Sequence, residues 1–407
     1  MIKNGIDIVE IKRIEKALEK HKNFVERIFT TREIEYIRKK NFRAETVAGM
    51  CAAKEAFSKY LGTGFSAISF MEIEILHDDI GKPYVMFKGR RSEADLSISH
   101  SNEDAVAVVT GNCPLGANIS AELLMKMRAL LPVRKSDSHK GDFGRVFILG
   151  GSEGMTGAVC LSAMGALRSG AGLVTVGSPY SQRGIVAVKL TEAMTVGYDD
   201  SYGMFTGSDA EKIIKRVNSS DVCGLGMGMG RCKGVDNTVY EIVKNAEKPL
   251  VIDADGINAI SWNIDILKKL NVNAVLTPHP GEMMRLTGKM VGRSLKSRIN
   301  TALEVSARYN VVTVLKGQNT VIAAPNGEYT VNSTGNSGMA TGGSGDVLTG
   351  IIASFIGQGL SVYDAAVLSV YLHGRAGDMA ANELGTHGLI ASDLVKKLPL
   401  AIKELSF

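Results

Sequence analysis

The spacing of apolar positions divides the chain into two stretches with different rhythms. In the first, residues 5–11 (GIDIVEI) alternate and are rich in β-branched side chains, which predicts a strand. From 9 to 21 the period lengthens. Ile11, Ile14 and Leu18 fall at i, i+3 and i+7, as on the buried stripe of a helix, while Arg13, Lys16 and Lys20 repeat that spacing on another face. Further helices are predicted at 31–40, capped by Thr31 with Glu33 in the first turn, and at 44–61, stopping before Gly62. Short strands follow near 70–76, 83–87, 95–99 and 105–110. In the second stretch strands and helices alternate. Its strand-like runs are 145–151 (RVFILGG), 173–178, 249–255 (PLVIDAD), 274–279 and 311–317. Several are continuously apolar, as expected where both faces of a parallel sheet are covered. Between the stretches, GNCPLGANIS at 111–120 has no periodicity. The expected organisation is an α+β domain at 1–113, a linker at 114–120, and an α/β domain with a mostly parallel central sheet at 121–407.

Composition narrows the classes. At 407 residues with 45% apolar and 22% charged positions, the chain can build two cores and has no disordered character. The net charge of +5 is too small for a nucleic-acid binder, but residues 1–60 carry 14 Lys/Arg against 9 Asp/Glu, a local excess suited to an acidic protein partner. Cys51, Cys113, Cys160, Cys223 and Cys232 form no CxxC and no zinc spacing, which suggests reduced thiols in a cytoplasmic protein. The first residues lack the apolar core of a signal peptide, and the longest apolar run, near Val347–Ile356, is too short to span a bilayer. No membrane association is expected.

Two acidic residues stand out in the first stretch. Asp7 interrupts an apolar strand, and Glu55 sits in the helix AAKEAFSKYLG. Buried carboxylates are costly unless they meet a cation or donors; two together would form a hard oxygen site for Mg²⁺ on a pyrophosphate. Lys54 could neutralise phosphate, and His100 ends the strand SISH. Taken singly, Asp7 and His100 read more readily as structural side chains. In sequence, GIDIVE, RIFTTREIEY, AAKEAFSKYLGTG, GKPY and SISH resemble holo-[acyl-carrier-protein] synthase over residues 1 to about 112. The resemblance implies transfer of 4′-phosphopantetheine from coenzyme A to a serine of acyl carrier protein. Asp7 and Glu55 would hold Mg²⁺, Lys54 and His100 would contact nucleotide phosphates, and Glu55 or a water beside it would take the serine proton. It also implies self-association, with the face of Arg13, Lys16 and Lys20 docking the acidic carrier.

In the second stretch the leading motif is NSTGNSGMATGGSGDVLTG at 332–350. Glycines 342, 343 and 345 precede a predicted helix near Asp346, so exposed amides would face a phosphate and the carboxylate could remove a hydroxyl proton. A bare glycine turn with Asp346 as cap is the plainer alternative. KGQNT at 316–320, TPHPGEM at 277–283 with His279 between prolines, and GLGMGMGR at 224–231 all follow predicted strands, whose end loops converge on one crevice. Together with GGSEGMTGAVCLSAMGALRSGAGLV at 150–174, these resemble the NAD(P)H-hydrate dehydratase family of the ribokinase-like fold over about residues 118–407. The resemblance implies repair of hydrated NADH or NADPH, driven by ADP or ATP. Asp346 would be the base, and Ala158, Gly228 and His279, with Gly230 as neighbour, would line the hydrate site. Lys316, Gly317, Gln318, Asn319, Thr320 and Gly345 would bind the adenine nucleotide. Because a transferase-like segment stands where many members carry an epimerase, action on one hydrate epimer only, or reliance on a separate epimerase, is expected. The competing readings are a vitamin-precursor kinase for the second domain and a carrier-binding module without catalysis for the first.

Overall fold

Alternation in the first residues becomes strand β1 (Ile2–Glu10), which runs straight into helix α1 (Ile11–Lys20). The computed structural model describes residues 2–20, 23–61, 68–92, 94–112 and 121–406; Cys113 and the expected linker at 114–120 lie outside the described residues. Two units form, Met1–Leu123 and Leu124–Phe407.

In the first unit α1 is followed by α2 (Phe24–Ile28), α3 (Thr31–Lys39) and α4 (Ala44–Leu61). The strands are β2 (Ile73–His77), β3 (Pro83–Phe87), β4 (Arg90–Arg91), β5 (Asp95–His100) and β6 (Asp104–Asn112). β1, β6 and β5 make one antiparallel sheet and β2, β3 and β4 another. Ile11 and Ile14 are buried and Leu18 is half-buried, so the helical stripe is real. Gly5 lets β1 lie directly on α4: a Cβ there would sit 1.9 Å from the Ala56 carbonyl oxygen. One cap differs from expectation. Thr30, not Thr31, precedes the helix, and its amide donates to Glu33 Oε2 at 2.8 Å. The five-residue α2 and two-residue β4 went unpredicted, being too short for periodicity to register.

Helix α5 (Ala121–Leu130) contains the division between the units. The second unit continues with β7 (Arg145–Leu149), α6 (Thr156–Arg168), β8 (Leu173–Pro179), α7 (Tyr180–Lys189), β9 (Met194–Tyr198), β10 (Asp200–Ser201), β11 (Met204–Phe205) and α8 (Ala210–Asn218). Then come β12 (Val222–Leu225), α9 (Lys233–Asn245), β13 (Leu250–Ile252), α10 (Ala254–Ile260), β14 (Ala274–Leu276), α11 (Pro280–Thr287) and α12 (Leu295–Tyr309). The unit ends with β15 (Val312–Leu315), β16 (Val321–Ala323), β17 (Tyr329–Val331), α13 (Ser344–Gly357), α14 (Val362–Leu384) and α15 (Ala391–Leu405).

The central sheet has nine strands in the order β17-β16-β15-β14-β13-β12-β7-β8-β9, with only β16 running against the rest and pairing antiparallel with both β15 and β17. β7, β8, β13, β14 and β15 carry the five predicted strand-like runs, and β12 to β15 are buried at every position. α13 lies along β7, β12 and β13 and against α6. Among the described residues no helix is long and apolar enough to cross a membrane.

Candidate functional site

Because β7, β12, β13, β14 and β15 run parallel, the loops leaving their C-terminal ends share one edge of the sheet. Chain order reverses between β7 and β12, with β8 and β9 to one side and β13 to β15 to the other, and such a reversal opens a crevice. The loops meet there. Gly151 donates its amide to Met227 O at 2.8 Å. Gly226 has φ 117°, and a Cβ there would stand 1.9 Å from Asp253 O, so the glycine loop after β12 can press against the end of β13 only without a side chain. A Cβ on Gly228 would come within 3.0 Å of Ala158 Cβ, which places those two residues side by side. The Gly230 amide donates to Asp255 Oδ2 at 2.9 Å.

A buried carboxylate ties this edge to α13. Asp253, fully buried, accepts from Lys316 Nζ at 2.6 Å, from Thr349 Oγ1 at 2.7 Å and from the Ala254 amide at 2.8 Å. Lys316 Nζ also lies 3.8 Å from Glu282 Oε2, and a Cβ on Gly345 would stand 3.2 Å from it, so the ammonium sits at the head of α13. Burial alone would depress this ammonium, but Asp253 and Glu282 outweigh it and hold its pKa above the ordinary value. Asp346 is in the first turn of α13, after the left-handed Gly343. Burial, reinforced by Asp253, pushes its carboxyl up to about 7 against the pull of Lys316. First-turn amides of a helix have no partner within it, so the same place offers donors to an anion.

His279 caps α11. Its Nδ1 accepts from the Gly281 and Glu282 amides at 3.0 and 3.3 Å, and Glu282 Oε2 accepts from the His279 amide at 2.8 Å. An accepting Nδ1 leaves the ring proton on Nε2. Burial, with Lys316 and Arg285 nearby, holds the ring below its ordinary pKa and therefore neutral. The 316–320 loop is fixed by Arg298, which donates to Leu315 O at 3.1 Å, to Lys316 O at 3.3 Å and to Gln318 O; Thr320 Oγ1 donates to Gly317 O at 2.9 Å. Gly317, Gln318 and Asn319 are exposed. Three positioning residues escaped the sequence reading: Asp253, Arg298 and His373. His373 is buried against the Ser344 carbonyl at 2.8 Å, and burial pushes its pKa down to about 4. Asp253 sat in a run read only as strand; a carboxylate at the end of a buried parallel strand was the available signal.

In the first unit Asp7 faces α4 and is nearly buried, while Glu55 is half-exposed. Lys59, one turn beyond Glu55, bridges them: Nζ is 2.7 Å from Asp7 Oδ1 and 3.9 Å from Glu55 Oε1. Sequence reasoning missed Lys59, although the i, i+4 spacing to Glu55 was the signal. His100 is exposed at the end of β5, in the cross-strand row of Val9 and Ala105, two positions along from the row of Asp7, Ala107 and Ile98. Among the described residues no three His, Cys, Asp or Glu side chains cluster as metal ligands, so a cation on Asp7 and Glu55 would take its other oxygens from phosphate and water. Lys54 corrects the expectation of a phosphate contact. It is fully buried, its Nζ donates to Ile28 O (3.0 Å), Phe70 O (2.8 Å) and Ile73 O (2.6 Å), and it pairs with Glu33 Oε2 at 2.8 Å. An ammonium with all its protons committed to a closed cage has none for a ligand. Burial raises the Glu33 pKa and lowers that of Lys54, each opposed by the partner's charge. Arg13, Lys16 and Lys20 are exposed on α1.

The second unit is thus a ribokinase-like α/β domain whose helix head, lysine and buried aspartate converge at the sheet's switch point. A family model for NAD(P)H-hydrate dehydratase matches residues 146–400, and the chain belongs to that family. The model of the 4′-phosphopantetheinyl transferase superfamily matches residues 4–110. The chain is 43% identical over 279 residues to the bifunctional NAD(P)H-hydrate repair enzyme Nnr of Moorella thermoacetica, covering 68% of this chain and 53% of the relative. It is 37% identical to the ADP-dependent (S)-NAD(P)H-hydrate dehydratase of Neisseria meningitidis serogroup B, over 64% of this chain and 86% of the relative. The crystal structure of the ADP/ATP-dependent NAD(P)H-hydrate dehydratase of Bacillus subtilis, co-crystallised with ATP/Mg²⁺, is similar at 32% identity and a TM-score of 0.59, covering 72% of this chain and 99% of that one. The chain spans about half the length of several of the curated relatives it matches, 53% for the first of them.

Two stability effects follow from these charges. Lys54→Met strands Glu33 without its cation, so chemical denaturation should show the first unit losing about 3–5 kcal/mol. Asp346→Asn should raise the thermal midpoint of the second unit. The raised pKa of Asp346 stabilises the fold fully only below the unfolded value near 3.8, and that contribution is lost as pH rises towards about 7. The gain from the asparagine should therefore grow across that window and then level; calorimetry at several pH values measures it.

Proposed function

We propose that the second unit, within residues 121–407, dehydrates hydrated NADH or NADPH of the 6S configuration at the expense of ADP or ATP. The first unit, within residues 1–113, moves 4′-phosphopantetheine from coenzyme A to a serine of acyl carrier protein. The observation that carries the first reading is the carboxylate of Asp346, half-covered beside Lys316 at the head of α13.

Water leaves a reduced nicotinamide ring poorly. Phosphorylating the ring hydroxyl replaces it with a phosphate leaving group, expelled by the lone pair of the ring nitrogen, and loss of a proton from the adjacent ring carbon then restores the double bond of the reduced nicotinamide. Asp346 takes the hydroxyl proton as oxygen attacks the terminal phosphorus of the nucleotide. The first-turn amides of α13, with Gly345 open to close approach, and Lys316 hold the charge on the transferred group. Gly317, Gln318, Asn319 and Thr320 bind the rest of the nucleotide. Ala158, Gly228 and Gly230 wall the hydrate, and neutral His279 offers its Nε2 proton to it. The nucleotide ends as the next lower phosphate and the hydrate's oxygen leaves on inorganic phosphate. Among similar proteins, one is named ADP-dependent and another ADP/ATP-dependent, which supports either nucleotide.

In the first unit Asp7 and Glu55 suit Mg²⁺, which when bound would neutralise the pyrophosphate of coenzyme A. Lys59, already between the two carboxylates, is placed to pass from them to a phosphate, the part earlier given to Lys54. Glu55, the more exposed acid, receives the serine proton, and His100 contacts the nucleotide end. The exposed Arg13, Lys16 and Lys20 attract the acidic carrier. Ile6 and Ile8, 53% and 62% exposed on β1, support self-association of this unit.

Hydrated NADH supplied with ADP or ATP should regain the absorbance of the reduced ring in step with phosphate release. The dehydration rate at low hydrate concentration should rise with pH through about 7 as Asp346 loses its proton, and Asp346→Asn should lower it about 10²–10⁴-fold. A rate without nucleotide, or one independent of this residue, would refute the assignment. Asp7→Ala should abolish transfer of pantetheine from coenzyme A to carrier protein with the circular dichroism unchanged; retained transfer would remove Asp7 from the site.

A further inference from the structure

A second cavity opens beside the crevice, and the reaction centre makes no use of it. It encloses about 250 Å³ and is walled by the loop after β12, the start of α9, and the α10 segment through Ser261 and Trp262. It adjoins the hydrate side of the crevice. Gly230 lines it, and Asp255, which accepts the Gly230 amide, stands on its wall two residues after the Asp253 that holds Lys316. The 316–320 loop is not part of its wall.

Three cations border the cavity: Arg231, Lys233 and Arg285. Among the described residues Arg285 donates from Nε to Asn258 Oδ1 at 2.8 Å, and Arg231 meets Asp255 at 3.7 Å. At the rim stands the chain's single tryptophan, Trp262, 85% exposed. A large aromatic face left in water beside uncommitted cations is a platform for a flat, phosphate-bearing ring system.

We infer that this cavity binds the adenylate end of the hydrated dinucleotide, with the purine stacked on Trp262 and its phosphate groups met by Arg231, Lys233 and Arg285. The inference rests on the dehydratase reading given above. It gives the substrate a direction: the hydrated ring lies by Asp346 and His279, the dinucleotide crosses Gly230, and its far end is held outside the reaction centre. Energy from that end would then serve capture of the substrate more than the chemical step.

The full chain is assayed with hydrated NADH, hydrated NADPH and hydrated reduced nicotinamide mononucleotide, which lacks the adenylate end. Trp262→Ala should raise KM for both dinucleotide hydrates about tenfold, at near-constant kcat and with KM for ADP unmoved. It should also narrow the preference for dinucleotide over mononucleotide, and Trp262→Phe should largely restore it. Arg231→Ala with Lys233→Ala should give the same pattern. Because Trp262 is the only tryptophan, its fluorescence offers a readout independent of turnover: AMP or adenosine 2′,5′-diphosphate should quench it in wild type, in the presence of saturating ADP as well. An unchanged KM for the dinucleotides, an equal loss on the mononucleotide, or a rise confined to ADP would overturn the inference. If wild type converts no hydrate, the dehydratase reading fails instead, and fluorescence alone decides whether the cavity takes an adenylate.

Discussion

The second unit is organised around one ammonium shared among several buried acids. Lys316 touches Asp253 and lies near Glu282 and Asp346, so a single positive charge serves three carboxylates in a place that water scarcely reaches. Not all three can ionise cheaply there. Asp253 has the shortest contact with the lysine and also accepts from Thr349 and Ala254. Asp346 has no such set of donors, and its carboxyl rises to about 7. The acid with the fewest partners is thereby left near the proton affinity a general base needs at neutral pH, and it sits on the helix head where the donors for an anion are.

The same accounting separates two lysines in the first unit that differ by only five positions. Lys54 has three carbonyls and a carboxylate within 3.0 Å and no exposed surface. Lys59 has one short contact and about half its side chain in solvent. Both are one step from Glu55 in a helical sense, one adjacent and one a turn away, yet only the second points where Asp7 and Glu55 do. A cation whose protons are all spoken for maintains the fold, whereas one held between two acids at a surface can be handed to a substrate.

Periodicity read the large features well because they rest on burial. The stripe of Ile11, Ile14 and Leu18 and the apolar strands β12 to β15 are legible since a side chain's environment repeats with the backbone. β9, β16 and β17 went unread. β16 and β17 are three residues each, and β9, at the sheet edge, mixes half-buried and exposed positions, so neither a run nor an alternation develops. The motifs placed Asp346, His279 and the 316–320 loop at one edge because parallel strands oblige their end loops to gather there. What a motif could not show is which partner each side chain finds. Lys54 beside Glu55 looked like a phosphate ligand, and only the fold reveals that its side chain leaves the helix on the opposite side, into the cage made with Glu33. Trp262 carried no periodic or motif signal at all; its meaning comes from being uncovered next to cations brought in by other loops.

That last contrast bears on how the crevice divides its work. The reacting end is dense with charges that act on one another: Asp253 and Lys316 are paired, and both are felt by Glu282 and Asp346. Such a cluster tolerates little variation, and any discrimination among substrates built into it would disturb the base itself. The rim beyond Gly230 is different. Arg231, Lys233, Arg285 and Trp262 are exposed, and Arg231 and Arg285 contact the protein mainly through Asp255 and Asn258. Asp255 and Arg285 belong to both regions: Asp255 bonds the Gly230 amide and adds to the charge felt by Asp346, and Arg285 lines the cavity while acting on His279 and Glu282. Through these two, a phosphate drawn to the rim cations would be felt at the reacting carboxylate, so recognition at the rim and proton transfer at the helix head are linked by charge along one sheet edge.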